Sequence, residues 1–106
     1  MRIVITGATG FIGSNLAKLF LEKGAEVFAL VRPESSHLEA LPKDEKLHMV
    51  SCGLSNVMDC ISQIGQADAF FHLAWGGVNR QEIDSPQVQA KNVAGSLECI
   101  RAAKEL

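Results

Sequence analysis

Three glycines at one strand-to-helix junction restrict this chain more than any other feature. The run Thr6-Gly7-Ala8-Thr9-Gly10-Phe11-Ile12-Gly13 follows a short β-branched segment and opens a segment with helical apolar spacing. Each glycine has a separate reason to be there: Gly7 permits the tight turn, Gly10 removes a side chain where backbone must approach a pyrophosphate, and Gly13 lets the helix pack closely on the strand. A helix start also offers free N–H groups and roughly half a positive charge to an anion. A P-loop is disfavoured, because no lysine stands between Gly13 and Ser14. In this setting the spacing points to a dinucleotide whose diphosphate is gripped by residues 7–13, with Gly7, Thr9, Gly10, Phe11, Ile12 and Gly13 as candidate contacts. A turn with a purely structural role is the alternative.

The rest of the chain supplies the frame such a turn needs. Residues 2–6 read as a buried parallel strand. The spacing predicts a helix over residues 11–23, with Ile12, Leu16, Leu19 and Phe20 as its apolar stripe and Gly24 just past its end. Residues 27–31 form a second strand, which Arg32-Pro33 closes. Residues 34–46 are polar, with room for a short helix at most. Residues 47–52 give a third strand, and Val57, Ile61 and Ile64 mark a helix ending near Gly65. Residues 68–74 are the fourth strand. A long last helix starts near Pro86, with Val93, Leu97 and Ile100 as its apolar spacing. Strands alternating with helices imply right-handed βαβ units. The expected fold class is α/β: part of a doubly wound parallel sheet of Rossmann type, in strand order 3-2-1-4, with α/β/α layers.

A chain of 106 residues leaves room for one core. Its net charge of -2 provides no basic surface for a nucleic-acid backbone. Cys52, Cys60 and Cys99 are odd in number and contain no Cys-x-x-Cys pair, so they read as buried hydrophobes in a reducing compartment. No secretory leader or membrane-length apolar run is visible, and the expected location is the cytoplasm, with neither nucleic acid nor membrane as a partner.

The Gly-x-x-Gly-x-x-Gly spacing after Thr6 resembles that of the extended short-chain dehydrogenase/reductase superfamily, and within it the NAD(P)-dependent epimerase/dehydratase family, which acts mostly on nucleotide sugars. Residues 68–75 (Asp-Ala-Phe-Phe-His-Leu-Ala-Trp), Asn92 to Gly95 with the serine after them, and the closing Arg-Ala-Ala-Lys segment agree with it, so the resemblance covers the whole chain. It implies that Leu73, Ala74 and Trp75 line the cofactor and that Asn92 reaches it from the last helix. Bland readings stand beside these, with Leu73 and Ala74 as strand core, Trp75 as a packing aromatic and Asn92 facing solvent. At Cys52-Gly53-Leu54 the family often has Gly-Asp-Leu. Here Gly53 takes the acid's place near the adenine, and Leu54 keeps its apolar match.

The cofactor is expected to be NAD or NADP. An acid about 20 residues past the glycines suits the ribose of NAD, whereas a nearby arginine suits the 2'-phosphate of NADP. The second strand ends Leu30-Val31-Arg32, which leans toward NADP. Glu34 or Ser35 could still serve a ribose, and Arg32 could be only a solvated charge.

The family's chemistry uses a Tyr-x-x-x-Lys pair, and this sequence has no tyrosine. His37, His48 and His72 read as isolated, and His72 as a satisfied strand-end residue rather than a base. The expectation is that residues 1–106 are the N-terminal, NAD(P)-binding part of a longer enzyme, without its catalytic and substrate-binding part and inactive alone. A non-catalytic dinucleotide sensor is the alternative function, and a ligand-free βαβ module a third. Truncation would leave the outer edge of the fourth strand open, so self-association through that edge, or its covering by the last helix, is expected.

Overall fold

A computed structural model describes all 106 residues, Met1–Leu106. Strands β1 (Arg2–Thr6), β2 (Glu26–Val31), β3 (Leu47–Ser51) and β4 (Ala69–His72) form one parallel sheet in the order β3-β2-β1-β4. Helices α1 (Phe11–Glu22), α2 (Val57–Cys60) and α3 (Pro86–Glu105) cover it. β1 is flanked on both sides, with Val4 opposite Phe28 of β2 and Phe70 of β4. A strand enclosed on both faces has no side that can stay polar, and Ile3, Val4 and Ile5 are fully buried.

Alternation along the strands sorts the core into two layers. Val4, Phe28, Leu30 and Val50 meet Val57, Ile64, Cys99 and Ala102 on the α2 and α3 side. Ile3, Ile5, Val27 and Ala29 meet Ala17 and Leu21 of α1 on the other. The three layers and the strand order are those expected. Because the chain leaves β1 for β2 on one side and reaches β4 on the other, a crevice opens at the carboxyl ends of β1 and β4.

Both long helices bury a different face from the one their large apolar residues suggest. In α1 the buried residues are Gly13, Ser14, Ala17 and Leu21, with Leu16 and Phe20 partly covered, while Ile12 and Leu19 are exposed. At Gly13 the helix lies so close to Gly7 and Ala8 of the turn after β1 that only small side chains fit along this face. In α3 the buried residues are Asn92, Gly95, Cys99 and Ala102. Val93, Leu97 and Ile100 are 55%, 57% and 66% exposed. Gly95 is again the reason: a Cβ there would come within 2.9 Å of Leu54 Cβ, so the bulky stripe is turned out and the small residues turned in.

Three boundaries also differ from expectation. The helix expected over 57–64 is a single α-turn between two 3-10 turns, Leu54–Asn56 and Ile61–Gln63, although Val57 and Ile64 are buried as foreseen. The polar stretch before β3 contains only the 3-10 turn Leu38–Ala40. β4 stops at His72 rather than Ala74, because the Leu73 N–H is drawn to both the carbonyl and the hydroxyl of Thr6.

Candidate functional site

The site is built first from the glycine turn. Gly7 has φ of +72°, in the left-handed region, and a Cβ on it would lie 2.7 Å from Ala74 N and 2.8 Å from Leu73 C. A Cβ on Gly13 would lie 2.1 Å from the Gly7 carbonyl oxygen. Gly10 is different: its backbone is ordinary extended chain, and a Cβ would meet only Gly7 O, at 3.3 Å. Gly10 caps α1 without a side-chain bond, and the amides of residues 11–13 have no acceptor within the chain. Three aligned, unpaired N–H groups at a helix start form an anion site.

In front of this turn lies an open crevice of about 1200 Å3. It is larger than the roughly 300–1,000 Å3 of a drug-sized ligand pocket and suits an extended ligand. At its centre are Gly7, Thr9 and Gly10; at the end of β2 are Arg32, Glu34 and Ser35; past β3 are Gly53 and Leu54; past β4 are Leu73, Ala74 and Trp75; and Asn92 lies on α3. The fold therefore gathers ten of the thirteen candidate residues on one surface. Phe11, Ile12 and Gly13 are not in its wall. The Phe11 and Ile12 side chains point to solvent, at 87% and 67% exposure, and only their amides belong to the site.

Several side chains are already committed. Asn92 is buried, and its amide forms a two-way pair with Gly76, accepting from Gly76 N at 2.8 Å and donating to Gly76 O at 2.8 Å. It thus fixes the loop after β4 rather than extending a free amide into the opening. The Trp75 indole donates to Gln89 Oε1 at 2.9 Å. The Gly53 amide donates to Asn56 Oδ1 at 2.8 Å, so the residue in the place of the family's acid contributes an open surface. Arg32 has no ion-pair partner, so its guanidinium is available to a ligand. Lys91 and Glu98 of α3 also line the crevice and were missed. With Ala94 and Gly95 they repeat at i, i+3, i+4 and i+7, a signal masked by the stronger apolar spacing on another face of the helix.

The histidines are not all isolated. His48 meets Glu26 at 3.1 Å and stacks on Phe28, but toward the amino ends of the strands, away from the crevice. His37 lies 3.9 Å from Glu39 on the surface. His72 is bonded to Thr6 and Ser96 and has no carboxylate partner. Cys52, Cys60 and Cys99 are buried free thiols. Burial pushes Cys52 upward, reinforced by Cys60 beside it, and pushes Cys99 up to about 11, so these two stay protonated and unreactive at neutral pH.

A parallel sheet in this order, with a glycine-rich turn facing its switch point, defines a Rossmann-type α/β protein. The chain belongs to the NAD dependent epimerase/dehydratase family, whose model matches residues 3–106. It is 30% identical to a 3-beta-hydroxysteroid dehydrogenase of Mycolicibacterium neoaurum, over 98% of this chain and 29% of that protein. Among solved structures it is similar to the epimerase Mth375 of Methanothermobacter thermautotrophicus, with a TM-score of 0.83, 26% identity, and coverage of 97% of this chain and 31% of the other. It is also similar to the enzyme WbmH of Bordetella bronchiseptica, solved in complex with NAD+, with a TM-score of 0.80, 28% identity, and coverage of 97% and 35%. The chain spans about a third of the length of these proteins. No helix is long and apolar enough to cross a membrane.

Proposed function

We propose that residues 1–106 are the dinucleotide-binding part of a nicotinamide-dependent epimerase, dehydratase or related reductase, and that this part binds cofactor without performing the reaction. The observation that carries this is the start of α1, where the amides of residues 11–13 have no acceptor within the chain and Gly10 beside them carries no side chain to cover them. The absence of any tyrosine supports binding without turnover, since the family resemblance places its proton transfer on a tyrosine. Three free thiols fit a reducing compartment such as the cytoplasm.

Of the two cofactors, NADP is the better match. Arg32 lines the crevice beside Ser35 with no carboxylate neutralising it, which suits a 2'-phosphate. Titration calorimetry should show saturable binding of both dinucleotides, with NADP the tighter. Arg32→Ala should weaken NADP by about tenfold or more, the loss of one charge-assisted contact, while leaving NAD nearly unchanged. Absence of heat with either dinucleotide would sink the binding reading, and equal losses for both would sink the NADP preference.

The outer edge of β4 also supports association of two copies. No strand pairs with it, α3 lies over one face only, and all four β4 residues remain partly exposed. The expected result is concentration-dependent dimerisation, seen by light scattering. A strict monomer at millimolar concentration would rule this out.

A further inference from the structure

We propose that His72, held as the neutral imidazole with its proton on Nε2, is a positioning residue for the dinucleotide crevice, tying the glycine turn and the loop after β4 to α3. The proposal rests on the crevice being the dinucleotide site. It follows from counting protons along one chain of hydrogen bonds.

Thr6 Oγ1 accepts from the amides of Leu73, at 3.1 Å, and Ala74, at 3.2 Å. With both lone pairs engaged, its single proton goes to His72 Nδ1, 2.7 Å away. Nδ1 is therefore bare, and the ring proton sits on Nε2, which donates to Ser96 Oγ at 2.9 Å. Ser96 in turn donates to the Asn92 carbonyl at 2.9 Å. The Asn92 side chain then holds Gly76 by both its N–H and its C=O. The Thr6 and Ser96 hydroxyls and the His72 ring N–H each have one acceptor, the Leu73 amide alone being shared between the hydroxyl and the carbonyl of Thr6, and both ends of the chain are crevice wall: Leu73 and Ala74 at one, Gly76 at the other. Leu73 and Ala74 are also the residues against which Gly7 is packed, so their placement fixes the glycine turn.

A second proton on the ring breaks this order. Nδ1–H would point at a Thr6 oxygen that already accepts twice, and the Thr6 proton would lose its acceptor. The groups facing the ring are Thr6 from β1 and Ser96 from α3, both neutral. The charged residues of that part of α3, Lys91 and Glu98, face the crevice, and burial alone holds the imidazole below the ordinary histidine range. The neutral network is therefore complete at pH 7 and is lost only as pH falls beneath that range.

The test uses NAD+ as probe, because the 2'-phosphate of NADP itself titrates near pH 6. Calorimetry on the 106-residue chain should give an affinity that is constant from pH 8 to 7 and falls at lower pH in step with the second proton that NMR shows on His72, approaching about tenfold per pH unit once the ring is protonated. His72→Gln, which cannot titrate, should bind NAD+ more weakly at pH 8 but with a flat profile. Long-range nitrogen NMR of the unmodified chain should show Nε2 protonated and Nδ1 bare at pH 7.5, a result independent of whether the variant folds. A proton on Nδ1, or an NAD+ affinity that is unmoved while NMR shows His72 taking up its second proton, overturns the role of His72 and leaves the binding reading intact. No NAD+ binding at pH 8 removes the binding reading itself, and this role with it.

Discussion

Replacing Gly13 with alanine should destabilise this protein by about 3 kcal/mol or more, although the same change in an ordinary helix is stabilising by about 1 kcal/mol. The sign is decided by what the new methyl group meets. It would lie 2.1 Å from Gly7 O, 2.8 Å from Gly7 C and 2.9 Å from Ala8 Cα, and all three are backbone atoms that no rotamer change can move. Relief requires α1 to lift from β1, which uncovers the contact made by Ala17 and Leu21 with Ile3, Ile5 and Val27. For a domain of this size the melting temperature should fall by about 10 °C or more, with dinucleotide affinity falling alongside. Urea denaturation of Gly13→Ala and the parent chain checks this directly. A midpoint equal to or above the parent's would show that the turn is not packed as described.

Gly10→Val should give the opposite combination: a fold that is nearly intact and a site that no longer works. Gly10 has φ of -76° and ψ of 173°, a conformation any residue adopts, and its Cβ would meet only one oxygen, at 3.3 Å. A poorer N-cap and that slight crowding cost about 1 kcal/mol. Outside the protein, however, the new side chain covers the start of α1, where the amides of residues 11–13 are unpaired. Excluding a diphosphate from them removes about two charge-assisted hydrogen bonds, a loss on the order of a hundredfold in affinity. Calorimetry with NADP and denaturation on one preparation separate the two effects. Binding retained within twofold would mean that no diphosphate sits at this helix start, and the functional assignment would fall with it.

The pair of variants shows which parts of the glycine motif were legible in the sequence. All three glycines could be assigned a role from their spacing, because a strand, a tight turn and a helix in succession allow few backbone paths. Their division into two whose Cβ would strike several backbone atoms and one whose Cβ would meet a single oxygen was not legible, because it depends on what occupies the space beside each Cα. The candidates at the ends of β3 and β4 came from the family resemblance and Arg32 from its distance past the glycines; that they share one crevice follows from the carboxyl ends of parallel strands converging at a switch point. Asn92 is a poor helix former and stands out within α3, yet its partner is Gly76, sixteen residues earlier in a loop whose path no local pattern specifies. Lys91 and Glu98 went unseen because Val93, Leu97 and Ile100 dominate the helical spacing while standing outside the core.

Local chemistry alone determined the order of elements, the parallel sheet and the place of the glycine turn, since strand and helix periods and turn residues act over a few positions. Which face of α1 and α3 is buried was decided by the tertiary structure. Close approach at Gly13 and Gly95 rewards small side chains over large ones, and that preference arises only once a second element is pressed against the first. The same holds for His72: its tautomer follows from Thr6, Leu73, Ala74 and Ser96 meeting around one ring, an arrangement assembled from three separate elements.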